Sequence, residues 1–147
     1  MRKLILFLIV ITAGVAGFYI YDQWPRNPVA LKPDLITVAA PKIGDTVKSP
    51  LVIRGEARGY WFFEATFPVV LTNWDGLIIA QHYAQAQSEW MTTDFVPFEA
   101  KLEFESPVLP GADKNHFSRR GYLILKKDNP SGLPEYDDSL EIPVRFK

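Results

Sequence analysis

A chain of 147 residues, 48% hydrophobic and 22% charged, has room for one domain of ordinary size, and its 14% aromatic content is that of a packed core rather than a disordered segment. The absence of Cys removes disulfides, thiol nucleophiles, thiolate zinc sites and lipid attachment through sulfur, and two His, His82 and His116, are too few for a histidine-based metal site or a triad-rich active site. A net charge of −1 lacks the basic excess of a nucleic-acid binder.

From Leu4 to Tyr21 the chain runs without a charge. As a helix rising about 1.5 Å per residue, this run would span roughly 27 Å, close to the hydrocarbon thickness of a bilayer. Arg2 and Lys3 precede it and Asp22 follows it. The positive-inside bias therefore predicts residues 1–3 in the cytoplasm and the rest of the chain outside. Tyr19, Tyr21 and Trp24 fall where an interfacial aromatic belt would lie. A cleaved signal peptide is the competing reading, with Gly14 and Ala16 placing a cut before Gly17. The apolar run continues through Phe18, Tyr19, Ile20 and Tyr21 beyond that cut, which favours an uncleaved anchor over 4–21. Residues 22–34, with Pro25, Asn27, Pro28 and Pro33, read as an extended linker. Removing Arg2 and Lys3 leaves the remainder mildly acidic, so nothing in it attracts anionic lipid headgroups.

From residue 35 to 147 the pattern is that of strands. Leu35–Ala40 is a short strand candidate, Pro41–Pro50 is turn-rich, and Leu51–Ala57 is a second strand. Thr66–Asn73 is a third, in which Pro68 implies an edge or a bulge. Asp75–Gly76 lies between two apolar runs as a hairpin signal, and a fourth strand starts at Leu77. In Phe98–Glu105 the apolar Phe98, Ala100, Leu102 and Phe104 alternate with Glu99, Lys101, Glu103 and Glu105, the period-two pattern of a half-buried strand. Leu140, Ile142, Val144 and Phe146 alternate with their neighbours in the same way. Gly121–Lys126 is apolar on both faces and belongs in the middle of a sheet. About seven strands, no helix and turn signals between strands predict an immunoglobulin-like antiparallel β-sandwich, an all-β domain preceded by one transmembrane helix. No Cys pair staples its two layers, so aromatic packing must do so.

Three clusters are candidate sites. Tyr60, Trp61, Phe62 and Phe63 cannot all face one side of a strand, so some are core and some surface. Glu64 follows them, either as a buried acid or as a partner of Arg54 or Arg58. Trp90, Met91 and the polar Thr92-Thr93-Asp94 form the second cluster, where Thr and Asp side chains shape a loop. Asp94 lacks the Asp-x-Asp-x-Asp spacing of a calcium loop. The third cluster, Lys126–Asp138, gathers Asp128, Glu135, Asp137 and Asp138 among strong turn formers and reads as a solvated loop. Glu103 and Glu105 share one wet strand face rather than flanking a cleft, and there is neither a Gly-x-Ser-x-Gly elbow nor a phosphate loop. The residues imply no enzyme, no metal and no cofactor.

The ordered motifs carry a resemblance. Pro41-x-x-Gly44-x-x-Val47-x-Ser49-Pro50-Leu51-x-Ile53-x-Gly55-x-Ala57 is followed by Trp61-x-Phe63-Glu64-Ala65-x-Phe67-Pro68-Val69, then Trp90-Met91-Thr92 and Phe95-x-Pro97-Phe98. Lys127-Asp128-Asn129-Pro130-Ser131-Gly132 and Ile142-Pro143-Val144 complete the set. The chain over 35–147 resembles the bacterial spore germination immunoglobulin-like domain, the second module of the Gmad family. That resemblance implies an extracytoplasmic immunoglobulin-like module with no catalytic residues. The expected function is a membrane-anchored binding or scaffolding module of the cell envelope, with an envelope protein as partner. The alternative is a carbohydrate or peptidoglycan binder using Trp61, Trp74 or Trp90. The least favoured reading is a cell-wall hydrolase using Glu64 or Asp94.

Overall fold

The structure, a computed structural model, describes residues 29–147. The expected membrane segment at 4–21 and the linker up to residue 28 lie outside the described residues. Among the described residues no helix is long and apolar enough to cross a membrane.

Eight strands form: β1 (Ile36–Ala40), β2 (Thr46–Val47), β3 (Leu51–Arg58), β4 (Thr66–Thr72), β5 (Ile78–Ala86), β6 (Phe95–Leu102), β7 (Arg120–Lys126) and β8 (Ser139–Phe146). The helical pieces among the described residues are single 3-10 turns at Gly59–Trp61, Phe117–Arg119 and Pro134–Tyr136. The eighth strand corrects the expectation of about seven. It is β2, two residues long, inside the stretch read as turn-rich. It pairs in parallel with β8, Thr46 opposite Arg145 and Val47 opposite Phe146, so the sheet is not wholly antiparallel. A strand that short leaves no alternation to detect.

Hydrogen bonding joins all eight in the order β1-β3-β6-β5-β4-β7-β8-β2. The join between β5 and β6 is narrow, only Gln85 opposite Glu99 and Ala86 opposite Phe98. The sheet folds over there, placing β1-β3-β6 against β5-β4-β7-β8-β2 as two layers of an immunoglobulin-like sandwich. Phe67 of β4 meets Phe98 of β6 across the layers, ring centroids 4.9 Å apart and edge-to-face, and Phe104 meets Phe146 at 5.7 Å. Phe62 packs on Phe67 from one end at 5.1 Å. Phe62, Phe67, Phe98 and Phe146, with Ile53, Leu71, Leu102 and Leu123, form the core, and partly buried Phe104 packs against it. Aromatic packing thus does the work a disulfide would otherwise share.

The predicted periodicity places the side chains of β6 correctly, while in β8 Pro143, expected on the wet side with Glu141, is buried. In β6, Val96, Phe98, Ala100 and Leu102 are buried while Pro97 and Lys101 are exposed. Strand β6 stops at Leu102, short of the expected Glu105. Strand β7 lies between β4 and β8, as its two-faced apolar run requires. Pro68 pairs with β5, and β7 joins β4 only from Val69 onward, so the proline sits where β4 is locally an edge. Two strands approach too closely for a side chain: a Cβ at Gly55 would lie 2.1 Å from the Thr37 carbonyl oxygen, and one at Gly121 would lie 2.3 Å from that of Thr72.

The registers define two ends. Arg58, Ala86, Phe95, Lys126 and Ser139 mark the end at which the chain enters; Leu51, Thr72, Ile78, Leu102, Arg120 and Phe146 mark the far end.

Replacing Phe67 by Ala removes the ring that both bridges the layers and receives Phe62. The expected cost is about 3–5 kcal/mol in urea unfolding, against a change within roughly 0.5 kcal/mol for Leu77→Ala on the surface.

Candidate functional site

The entry end holds four of the five sequence-predicted site residues. Trp61 is fully buried at 0% exposure, so neither face of its indole is open to a ligand. Its carbonyl accepts the Asp128 amide at 3.0 Å, tying the turn to the loop after β7. Phe62 is buried with it, while Tyr60 and Phe63 are exposed. The run therefore divides between core and surface, as its residue types require. Trp90 is partly buried. A Cβ at Gly59 would lie 2.3 Å from the Trp90 carbonyl oxygen and 1.9 Å from that of Thr92, so the two segments are in backbone contact.

Asp94 is exposed and holds its own loop. Its amide donates to Thr92 Oγ1 at 3.1 Å, and its carbonyl accepts the Gly59 amide at 3.1 Å. Arg58 fixes the same loop from the other side. Its Nη1 donates to the Thr93 carbonyl at 3.2 Å, its Nε to that of Asp34 at 3.0 Å, and its guanidinium lies 4.1 Å from the centre of the Phe95 ring.

Glu64 is exposed rather than buried and pairs with neither arginine proposed for it. Arg54 binds Glu99 at 2.7 Å, and Arg58 is committed to carbonyls. Glu64 instead occupies a tight turn closed by reciprocal bonds between Phe63 and Thr66, with φ of 49° at Glu64 and 63° at Ala65. Two successive positive φ values are the type I′ pattern, which glycine and asparagine favour and these residues do not. The Glu64 charge, secondary to partial burial, pushes the Asp128 carboxyl above the usual aspartate value. Elsewhere in the acidic loop, Asn129 Nδ2 donates to Asp137 Oδ1 at 2.8 Å and Asp138 pairs with Lys32. Among the described residues no three His, Cys, Asp or Glu gather to hold a metal.

Trp74 lies at the opposite end, in the turn Asn73–Leu77. Asn73 Oδ1 accepts the amides of Asp75 and Leu77, both at 2.9 Å, and Gly76 takes φ of 79°, the left-handed conformation that the Asp-Gly pair predicts. This turn holds Trp74 45% exposed and edge-to-face with Phe117, itself 44% exposed, at 4.7 Å between centroids. His116 stacks on Phe117 at 4.3 Å and its Nδ1 lies 2.9 Å from Ser118 Oγ. Buried Ser118 in turn accepts the Leu109 amide at 3.1 Å. Arg119 clamps the loop beneath by donating to the carbonyls of Asp113, Ala112 and Phe146 at 2.8, 3.1 and 3.3 Å. The result is a rigidly mounted exposed pair of rings, with Leu77 and Ile78 exposed in the same turn and strand. Phe117 and His116 were not among the expected residues; an aromatic pair within a polar loop was the available signal.

The family model for the immunoglobulin-like domain of bacterial spore germination, Gmad2, matches residues 35–114, more than half of the 147-residue chain. The chain belongs to this family. Neither the curated proteins nor the solved structures give a match to it. The Gmad2 match spans β1 to β6 and ends before β7 and β8, which complete the same sheet. The residues that carry the resemblance are largely scaffold. Gly44 takes φ of 79°, Gly55 admits the Thr37 carbonyl, Trp61 and Phe67 fill the core, and Phe98 answers Phe67. The motif therefore reports how a Gmad2 domain folds, while the exposed Trp74–Phe117 pair stands partly outside it.

Two outcomes follow from the entry end. Ala65→Gly relieves the positive φ and raises the thermal midpoint, with a gain of about 0.5–1 kcal/mol. Asp128 binds its proton more tightly folded than unfolded, so its contribution to stability falls as pH rises from the usual aspartate value through the raised one. An NMR titration of Asp128 should show its pKa move down in Glu64→Gln.

Proposed function

We propose that this Gmad2 chain is a membrane-anchored, extracytoplasmic scaffolding module of the bacterial cell envelope, acting through protein contacts rather than catalysis. The observation that carries the reading is the Trp74–Phe117 pair, exposed and braced at the far end of the sandwich. Aromatic anchors on a rigid mount are the residues that dominate protein–protein recognition, because little conformational entropy is lost when they are covered. The uncharged run at 4–21 behind Arg2 and Lys3 supports the anchor and its orientation. With the chain entering at the opposite end, such an anchor would point Trp74 and Phe117 away from the bilayer.

The carbohydrate reading asks for two tryptophan faces side by side. Trp74 is at one end, Trp90 is at the other, and Trp61 is inside, so among the described residues a sugar would meet one tryptophan at a time. The hydrolase reading asks Glu64 or Asp94 to face a cleft, yet one sits on an exposed turn and the other braces a loop.

A photo-cross-linking residue at Leu77 in cells should give discrete protein adducts, and Trp74→Ala with Phe117→Ala should reduce them at least about tenfold. Wall glycan recovered without protein, together with tryptophan quenching by wall fragments, would sink the protein-contact reading.

A further inference from the structure

The sandwich is open along one side, between β1 and β8. Among the described residues each is hydrogen-bonded on one flank only along this stretch: β1 to β3, and β8 to β7, with β2 covering β8 only at its far end. The opening is a groove of about 400 Å³. Its floor is Ile36, Leu140 and Ile142, and Leu31 and Ile43 flank it, 60% and 44% exposed. The Lys32–Asp138 ion pair bounds it at the entry end, and the loop from Pro41 to Asp45 crosses it at the far end.

Main-chain groups line both rims. Asp138 accepts the Lys127 amide at 2.8 Å, which sets the phase of β8: Leu140, Ile142 and Val144 face β7, and the residues between face outward. The outward set is visible at the far end, where the Pro143 carbonyl accepts the Gly44 amide at 2.8 Å and the Arg145 amide donates to the Asp45 carbonyl at 2.9 Å. Ser139 spends its amide on Asp138 Oδ1 at 2.8 Å. The N–H and C=O of Glu141 therefore point away from β7, toward the open side beside the groove residues Leu140 and Ile142. On β1, the Arg58 amide donates to the Leu35 carbonyl at 2.9 Å, so Thr37 faces β3 and Val38 turns its N–H and C=O outward.

We propose that this groove takes a short extended peptide segment of a partner protein by strand addition, pairing with Glu141 on β8 and laying alternate apolar side chains on Leu140, Ile142 and Val38. The proposal deepens the protein-contact reading and rests on it. Unpaired main-chain donors and acceptors beside an apolar floor select an extended backbone rather than a helix or a sugar. The open rim is only a few residues long, far short of the roughly 1,200 Å² that a stable interface between folded chains needs, so a peptide fits better than a second copy. Two lysines, Lys32 and Lys42, line the groove, and the carboxylates at its two ends are already engaged, Asp138 by Lys32 and Asp45 by the Lys42 amide. Lys32 is paired to Asp138, so the Lys42 end favours an acidic residue in the ligand.

The sequence supplies its own precedent for the test. Proline already stands at an outward-facing position of β8, Pro143, without loss of a bond to β7. Glu141→Pro should therefore leave the fold intact and remove the N–H offered to the groove. The probe is a fluorescein-labelled heptapeptide of alternating Val and Thr with one terminal Glu, titrated against the full chain in detergent by fluorescence anisotropy. The expected result is saturable binding, weakened at least about tenfold by Glu141→Pro and by Leu31→Asp, with wild-type melting retained. Where Glu141→Pro fails to fold, Leu31→Asp decides. Absence of saturable binding, or equal binding by the folded variants, overturns the proposal. Self-association of the wild type that Glu141→Pro abolishes assigns the groove to a second copy and overturns it too. Protein adducts at Leu77 that persist alongside a failed titration leave the protein-contact reading standing without the groove.

Discussion

The edge-to-face contact between Phe67 and Phe98 holds the two layers of this sandwich together. Strands β5 and β6 share only two residue pairs, so main-chain bonding alone would leave a loose corner. The edge-to-face rings beside that corner supply the missing restraint, and Phe62 extends it toward the entry end. Both layers then present their outer surfaces in fixed relation, which allows loops at either end to be precise without a disulfide.

That division of labour explains why function is hard to find in the residues most characteristic of the family. A packed tryptophan, close-approach glycines and crossing phenylalanines are what a small β-domain needs to exist. In the proposed reading, recognition is left to what the frame carries: the turn bearing Trp74, the arginine-clamped loop bearing Phe117, and the rim of β8. The two surfaces differ in kind. One offers rings to a folded surface, and the other offers main-chain groups to an extended strand.

Strands were legible wherever one face is wet and the other dry, because a period of two survives in the sequence as alternation. Strand β6 is the clear case, β8 departs from it at the buried Pro143, and β7 was legible for the opposite reason, its half-buried face being apolar too at Tyr122 and Ile124. Strand β2 was not, since two residues carry no period and its partner lies about a hundred positions away in the chain. The same distance problem hid the surface site. Trp74 stood out as a tryptophan beside a turn, but its pairing with Phe117 depends on how the loop after β6 is clamped by Arg119. Trp61 is ambiguous in the other direction: its aromatic neighbours show that the run divides between core and surface, but not which rings go where, and the packing of β4 against β6 decides that.

The first two strands belong to different layers, and this has a mechanical meaning. Strand β2 runs parallel to β8 and is tied to it by the Arg145–Asp45 and Lys147–Val47 bonds, with Gly44–Pro143 just ahead. A pull between the segment entering β1 and the end of β8 draws these two strands in opposite directions along their length. The bonds between them are then loaded together in shear instead of opening one after another. A domain built this way meets tension applied at its two ends with a patch of only a few residues, because geometry makes them share the load.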